Sequence, residues 1–300
     1  MPSLTARIRP IVSPERSTGQ DIIEGALKQR LSSSVSRPLI LGICGSQGSG
    51  KSFVSERLKR SLEQQGLRVA LLSLDDLYLP KSQRSMLAEK VHPLFATRGV
   101  PGTHDIELGL RVIGALRCGA PVALPRFDKS RDEPRPELDW EFVAQPVDLV
   151  IFEGWCVGAL PQPDPLLDQP INALERDDDP HGIWRQHANA RLAGSYQRLF
   201  AELDMLVLLA APSFEIVAAW RTQQEEQLAH DLAEPRGDAA RASFMSPAEI
   251  ARFVQHYERL TRHILAEMPQ RADVTIRLDT ARNVTSWSAR PHADTVDRLS

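Results

Sequence analysis

The sequence has 300 residues, of which 42 % are hydrophobic and 25 % charged, a composition typical of a globular protein with a sizeable buried core. Its formal net charge of −3 argues against a general nucleic-acid-binding protein, which would carry a surplus of basic residues. No segment approaches the roughly 18 consecutive apolar residues of a membrane-spanning helix, so we expect neither nucleic acid nor membrane as a partner.

The N-terminal region, residues 1–37, is predicted to be an accessory segment. It lacks the apolar stretch of a secretory signal peptide, and it contains a helical pattern from Gly19 to Leu31 followed by a flexible serine-rich joint at 32–36. The three cysteines of the chain are widely spaced and form no C-x-x-C pair. We therefore expect reduced cysteines and a cytoplasmic location.

The next segment carries the most specific motif of the chain, G-x-x-x-x-G-K-[ST], which follows an apolar run at 39–44 and precedes a helical pattern that stops at Gly66. Glycines in such a loop let backbone N–H groups surround phosphates, and the helix adds the positive end of its dipole. Lys51 is placed to reach the β- and γ-phosphates, and the Ser52 hydroxyl to bind Mg²⁺. The predicted ATP- and Mg²⁺-binding loop consists of Gly45, Ser46, Gln47, Gly48, Ser49, Gly50, Lys51 and Ser52.

Further apolar runs of strand length alternate with helical patterns along the rest of the chain. They lie at 68–74, 147–152, 204–210 and, more weakly, 274–278. Continuous apolar runs suit strands that are covered on both faces. Together these patterns predict an α/β fold, namely the P-loop NTPase three-layer sandwich with a mostly parallel five-stranded sheet. The predicted domain covers 38–280 and leaves a polar tail at 281–300.

Two regions of the chain are predicted to be long irregular loops, and one helix is unusually well marked. The loops run from 77 to about 105 and from 158 to 185, and loops of that length commonly serve as lids or binding loops. Near the end of the chain, Ser246 and Glu249 form a predicted capping box at the start of a helix that stops before Pro269.

Acidic residues follow two of the predicted strands. Asp75 and Asp76 come after 68–74, where either can bind metal or accept the proton of a substrate hydroxyl, although one of them could simply cap a turn. Glu153 follows 147–152 in the Walker-B arrangement that holds Mg²⁺ or its water. Because open α/β sheets bind ligands at the carboxyl ends of their strands, we expect these carboxylates near the phosphate loop.

Two polar segments between these strands are suited to a small hydroxylated, anionic substrate. One spans 98–105 and contains His104 and Asp105, and the other spans 125–131 and contains Arg126 and Arg131. Arginine binds carboxylates through two parallel hydrogen bonds, which lysine cannot do. A lone histidine is more often structural, so His104 gains its functional interpretation from its neighbours.

The chain resembles the D-glycerate 3-kinases of plants and fungi in four segments, at 73–79, 98–105, 125–131 and 153–158. That family belongs to the P-loop kinases related to uridine kinase, phosphoribulokinase and pantothenate kinase, and the resemblance extends over about residues 38–279. It implies transfer of the γ-phosphate of ATP to a hydroxyl of D-glycerate, giving 3-phosphoglycerate and ADP. A GTPase is disfavoured because the chain has no N-K-x-D motif, and the ordered H-R-D and D-F-G motifs of protein kinases are absent as well.

The resemblance implies roles for individual residues. Asp75 occupies the place of the general base, Asp105 that of an aspartate contacting substrate hydroxyls, and Arg221 that of a lid arginine that closes on the phosphates. The expected catalytic residues are Asp75, Lys51 and Arg221, the expected metal ligands Ser52 and Glu153, and the expected substrate-binding residues Asp76, Tyr78, His104, Asp105, Arg126 and Arg131.

The residues alone leave two alternatives open. A P-loop kinase for a nucleoside, pantothenate or a sugar acid would carry the same phosphate loop, and so would a non-catalytic ATP-binding module that regulates a partner. The chain also departs from the family, because a glycine-rich Gly-Asp-Arg stretch is replaced at 131–136, where Arg131 or Arg135 would supply the arginine. The predicted lid segment Asp231 to Arg241 is unusually acidic. The sequence predicts no oligomeric state.

Overall fold

The structure, a computed structural model, describes residues 18–33, 38–223 and 246–290. The strands are β1 (Leu39–Gly45), β2 (Val69–Ser73), β3 (Val122–Leu124), β4 (Phe127–Asp128), β5 (Glu133–Pro134), β6 (Glu141–Val143), β7 (Leu149–Gly154), β8 (Met205–Ala210), β9 (Val274–Leu278) and β10 (Val284–Ala289). The helices are α1 (Gly19–Ser33), α2 (Lys51–Gln64), α3 (Lys81–Lys90), α4 (Ile106–Arg117), α5 (Ala173–Asp178), α6 (Ile183–Arg191), α7 (Gln197–Phe200), α8 (described over residues 214–223) and α9 (Pro247–Glu267).

The main sheet has six strands in the order β10-β9-β8-β1-β7-β2. All five predicted strands are present and run parallel to one another, which confirms the α/β prediction. The sixth strand, β10, pairs antiparallel with β9 inside the segment expected to be a polar tail. Half of its six residues are polar, but Val284 and Trp287 pack against the apolar core, and this tertiary contact is invisible in a local pattern.

Side chains of β1 alternate between two apolar clusters, one on each face of the sheet. Ile40 and Cys44 belong to the cluster that includes residues of α4 and α7. Leu41 and Ile43 belong to the other, which includes residues of α1, α2 and α8. Helices therefore cover both faces of the sheet, as a three-layer sandwich requires.

Helix α1 confirms the helix expected from Gly19 to Leu31 and extends it to Ser33. Its Ile23 and Leu27 are fully buried in the cluster beneath the sheet, so this helix is part of the core rather than an appendage. Residues 1–17 and 34–37, which include most of the serine-rich joint at 32–36, lie outside the described residues, as do the lid segment Asp231 to Arg241 and residues 291–300.

The two regions expected to be irregular contain short helices that are held in place by buried arginines. Arg84 on α3 is 1 % exposed and donates hydrogen bonds to the carbonyls of Leu79 and Ala96. Arg259 on α9 pairs with the buried Glu175 of α5 and donates to two further carbonyls of the 158–185 segment. Burial of a guanidinium is not readable from sequence, which explains why these segments were predicted as loops.

Helix α9 begins as predicted, since Ser246 and Glu249 form both hydrogen bonds of a capping box. Among the described residues no helix is both long and apolar enough to cross a membrane. The cysteines at 44, 118 and 156 are all free of disulfides.

Candidate active site

The phosphate loop joins the carboxyl end of β1 to the first turn of α2, with Lys51 and Ser52 as the first helical residues. Gly48 and Gly50 have φ angles of 75° and 83°, in the left-handed region that favours glycine. A Cβ atom at Gly48 would lie 2.5 Å from Cβ of Trp220 on α8, so this position also requires a residue without a side chain. The hydroxyls of Ser46 and Ser49 are buried without a hydrogen-bond partner among the described residues.

Ser52 and Glu153 meet where β1 and β7 run side by side. The Ser52 hydroxyl donates a hydrogen bond of 3.0 Å to Oε1 of Glu153, whose Oε2 is buried with no partner among the described residues. Mg²⁺ is usually bound by one or two protein oxygens together with substrate phosphates. Consistent with that pattern, the described part of the chain has no cluster of three His, Cys, Asp or Glu that could hold a metal by itself. This pair of oxygen ligands fits Mg²⁺.

Asp75 lies on a short 3₁₀ turn, Leu74–Leu77, that follows the carboxyl end of β2. Its Oδ1 accepts a hydrogen bond of 2.9 Å from the Tyr78 hydroxyl, and its Oδ2 lies 2.6 Å from Nζ of Lys129. Burial would raise the pKa of Asp75, but the positive charges of Lys129 and Lys51 hold it well below its usual range. Asp75 is therefore an ionised carboxylate with both oxygens engaged.

The neighbouring Asp76 is in a different electrostatic environment. Its Oδ1 accepts a 3.1 Å hydrogen bond from the backbone N–H of Phe127, and its Oδ2 lies 3.5 Å from the Arg126 guanidinium. Burial raises the pKa of Asp76 to about 6, although Arg126 opposes the shift. The Arg126 guanidinium also forms an ion pair with Glu141 of β6 at 2.7 Å. The contacts of Asp76 with Phe127 and Arg126 therefore anchor β4 and β6 to the end of β2.

Tyr78 and His104 form a buried aromatic stack beside Asp75, with ring centroids 4.5 Å apart. The Tyr196 hydroxyl accepts the N–H of Gly102 and lies 2.5 Å from Nδ1 of His104, to which it can donate its proton. Nε2 of His104 then carries the ring hydrogen, and it is buried without a partner among the described residues. Burial lowers the pKa of His104 to about 3, so the ring is neutral.

The segment 98–105 is held against the sheet by two buried aromatic residues. The Trp155 indole N–H donates to the Gly99 carbonyl at 2.9 Å, and the Tyr257 hydroxyl donates to the Arg98 carbonyl at 2.9 Å. Gly99 has a φ of 137°, and a Cβ atom at this position would overlap the Tyr257 ring. These contacts fix the loop that carries His104.

The other predicted site residues are placed less centrally. The Asp105 carboxylate caps the N-terminus of α4 by accepting the Leu108 N–H at 2.8 Å. Arg131 is exposed, and its backbone N–H donates a hydrogen bond of 3.2 Å to Oδ1 of Asp128. On α8, the Arg221 guanidinium lies over the Phe253 ring, 5.4 Å from its centroid. The structure thus brings Asp75, Tyr78 and His104 together, whereas one Asp105 oxygen already serves the helix.

Two contacts at the site were not predicted from the sequence. The first is the contact between Lys129 and Asp75. The sequence analysis included Lys129 only as a member of the segment 125–131, although a basic residue in a substrate loop by itself indicates a binding role. Arg282, in the turn between β9 and β10, donates a 2.5 Å hydrogen bond to the Gly48 carbonyl and stacks on Trp220. No local pattern marks Arg282, because its contact with the phosphate loop spans most of the chain.

The chain is similar to known kinases over most of its length. A family model described as methylmalonyl Co-A mutase-associated GTPase MeaB matches residues 7–92, a stretch that contains the phosphate loop. The uncharacterized kinase mug58 of Schizosaccharomyces pombe is 34 % identical over 232 residues, which are 74 % of this chain and 79 % of that protein. The chloroplastic D-glycerate 3-kinase of Arabidopsis thaliana is 26 % identical over 260 residues, or 82 % of this chain, but the chain spans only 54 % of that enzyme.

A solved structure gives the same fold. The D-glycerate 3-kinase of Cryptococcus neoformans superposes with a TM-score of 0.71 at 24 % identity, covering 90 % of this chain and 97 % of that one. This similarity confirms the fold prediction. With 34 % identity across most of a related kinase, the chain belongs to the family of P-loop kinases that includes D-glycerate 3-kinase, and it is a phosphotransferase with an alcohol group as acceptor.

Proposed function

We propose that this kinase transfers the γ-phosphate of ATP to a hydroxyl of D-glycerate, giving 3-phosphoglycerate and ADP. The observation that carries the proposal is Asp75, an ionised carboxylate at the end of β2 within electrostatic reach of Lys51 in the phosphate loop. A module that only binds ATP has no need of a base at that position. The similarity to the Arabidopsis D-glycerate 3-kinase supports glycerate as the acceptor.

In this proposal the loop 45–52 binds the triphosphate through its backbone N–H groups, and Lys51 contacts the β- and γ-phosphates. Ser52 and Glu153 would hold Mg²⁺, for which the unpartnered Oε2 of Glu153 is a suitable ligand. A metal ion held there would supply positive charge that offsets the negative charge of the phosphates. Arg221 would approach the same phosphates from α8.

Asp75 then acts as the general base. The hydroxyl oxygen of the acceptor forms a bond to the γ-phosphorus, the bond to the bridging oxygen of ADP breaks, and the hydroxyl proton passes to Asp75. The Tyr78 hydroxyl orients the carboxylate through its bond to Oδ1. The unpartnered Nε2–H of His104 would donate a hydrogen bond to the acceptor, with Asp105 adjacent to it. Binding by Asp76, Arg126 and Arg131 stays a prediction, as does a cytoplasmic location.

The test is ADP release measured with four acceptors: D-glycerate, pantothenate, uridine and ribulose 5-phosphate. We expect stimulation by D-glycerate, with 3-phosphoglycerate identified by phosphorus NMR. Stimulation by uridine alone would make the protein a nucleoside kinase and overturn the glycerate assignment. ATP binding without stimulation by any acceptor would favour the non-catalytic module.

A further inference from the structure

Lys129 forms an ion pair with Asp75, the residue proposed to act as the general base. Its Nζ lies 2.6 Å from Oδ2, while the Tyr78 hydroxyl already occupies Oδ1. A positively charged donor on a carboxylate lowers its pKa and so makes it a weaker acceptor for the proton of an alcohol. Departure of the positively charged donor would therefore make Asp75 a stronger base.

Lys129 is the donor that is free to leave. Its side chain is 61 % exposed, whereas Tyr78 is 6 % exposed and stacked on His104. The backbone around Lys129 is anchored, because Asp128 accepts bonds from Ser130 and the neighbouring Asp132 is paired with Arg84 and Arg98. The ammonium group can therefore swing on its long side chain while the loop stays in place.

The arginines that were expected to bind the substrate carboxylate are less suited to this task. The Arg126 guanidinium is already shared between Asp76 and Glu141. Asp75 pairs with Lys129 and not with Arg131, so binding of the substrate carboxylate by Arg131 would not release the base. An ammonium ion that leaves one carboxylate for another keeps a charge-assisted hydrogen bond throughout. A neutral acceptor offers no such replacement, so breaking the Lys129–Asp75 pair is then uncompensated.

We propose that Lys129 is a specificity-determining residue that binds the carboxylate of the acceptor and, in doing so, releases Oδ2 of Asp75 to take the hydroxyl proton. This inference rests on the proposed function and deepens it, because it restricts the acceptors to hydroxy acids. Glycerol, which has the hydroxyl groups of glycerate without the carboxylate, would leave Lys129 on Asp75.

The experiment compares D-glycerate with glycerol in the wild type and in Lys129→Met, Lys129→Arg and the control Lys90→Met, an exposed lysine at the end of α3. We expect Lys129→Met to lower kcat/KM for D-glycerate about 10- to 100-fold, mainly through KM, since a hydrogen bond to a charged group contributes about 1.5–3 kcal/mol. Activity with glycerol should stay the same or rise, because Asp75 is then free. Lys129→Arg should retain part of the preference, and Lys90→Met all of it.

A Lys129→Met variant that keeps the wild-type preference for D-glycerate over glycerol would overturn the inference. A fold control is available, since melting temperature and ATP affinity should match the wild type. The two proposals fail separately. If pantothenate is the acceptor, the glycerate assignment fails, and the comparison with its neutral alcohol analogue panthenol tests Lys129 in the same way. If uridine is the acceptor, both proposals fail.

Discussion

Replacement of Asp75 by asparagine separates a catalytic role from a structural one. A general base contributes about 10²–10⁴-fold to rate, or about 3–5 kcal/mol of barrier, so Asp75→Asn should lower kcat by that factor. Stability should fall modestly, because the positive charges that lower the pKa of Asp75 also stabilise the folded protein when this residue is ionised. Asparagine keeps an oxygen that can accept the buried Tyr78 hydroxyl, and an ion pair with a lysine as exposed as Lys129 contributes less than about 1 kcal/mol.

The assay is ADP release under saturating ATP and D-glycerate, with ATP affinity measured by calorimetry and stability by thermal unfolding. Asp148→Asn is a matched control, because Asp148 is also a partly buried, ion-paired aspartate but lies at the amino end of β7, on the opposite edge of the sheet. We expect its kcat to equal that of the wild type. A kcat for Asp75→Asn within about threefold of wild type, with intact ATP affinity, would refute the assignment of Asp75 as the base.

Three further predictions follow from contacts around the site. Gly48→Ala should weaken ATP affinity at least tenfold, as measured by calorimetry. It places a Cβ atom 2.5 Å from Trp220, and the φ of 75° at this position costs alanine about 1–2 kcal/mol. The control Gly114→Ala, at a position with open space around it, should leave ATP affinity unchanged. Glu175→Gln should lower the free energy of unfolding by about 3–5 kcal/mol in urea, since it breaks a buried ion pair; a loss below about 1 kcal/mol would contradict this. The folded-state pKa of Asp76, about 6, exceeds its ordinary 3.8, so its contribution to stability is present at low pH and is lost as pH rises through about 6. Between pH 3.8 and about 6, the unfolding free energy of the wild type relative to that of Asp76→Asn should therefore fall by up to about 3 kcal/mol. A difference that does not change with pH in this range would contradict the prediction.

The parts of the fold that sequence patterns predict are those encoded within a few residues. The phosphate loop and its flanking strand and helix follow from one contiguous motif, and the buried parallel strands follow from uninterrupted apolar runs. Strand β10 could not be predicted in this way, because the packing of Val284 and Trp287 against the core depends on distant residues.

The same distinction between local patterns and contacts with distant residues applies to the candidate site. The carboxylates Asp75 and Glu153 could be predicted as candidates because polar residues at the carboxyl ends of parallel strands meet at one edge of a sheet. The residues that contact these carboxylates could not all be predicted. The Lys129–Asp75 contact joins residues far apart in sequence, and the arrangement around Lys129 depends on Asp132, a non-glycine residue with a φ of 58°. Side-chain pairing of this kind is decided by tertiary geometry.

The bond from Arg282 to the Gly48 carbonyl has a consequence for the choice of a minimal active fragment. A shortened protein that ends at residue 280, where the domain was expected to end, would lose Arg282 together with β10. The phosphate loop would lose a donor, and β9 would become an edge strand with unpaired backbone groups, which favours pairing with other chains and aggregation. Truncated forms made for expression or crystallisation should therefore retain the chain at least to Ala289.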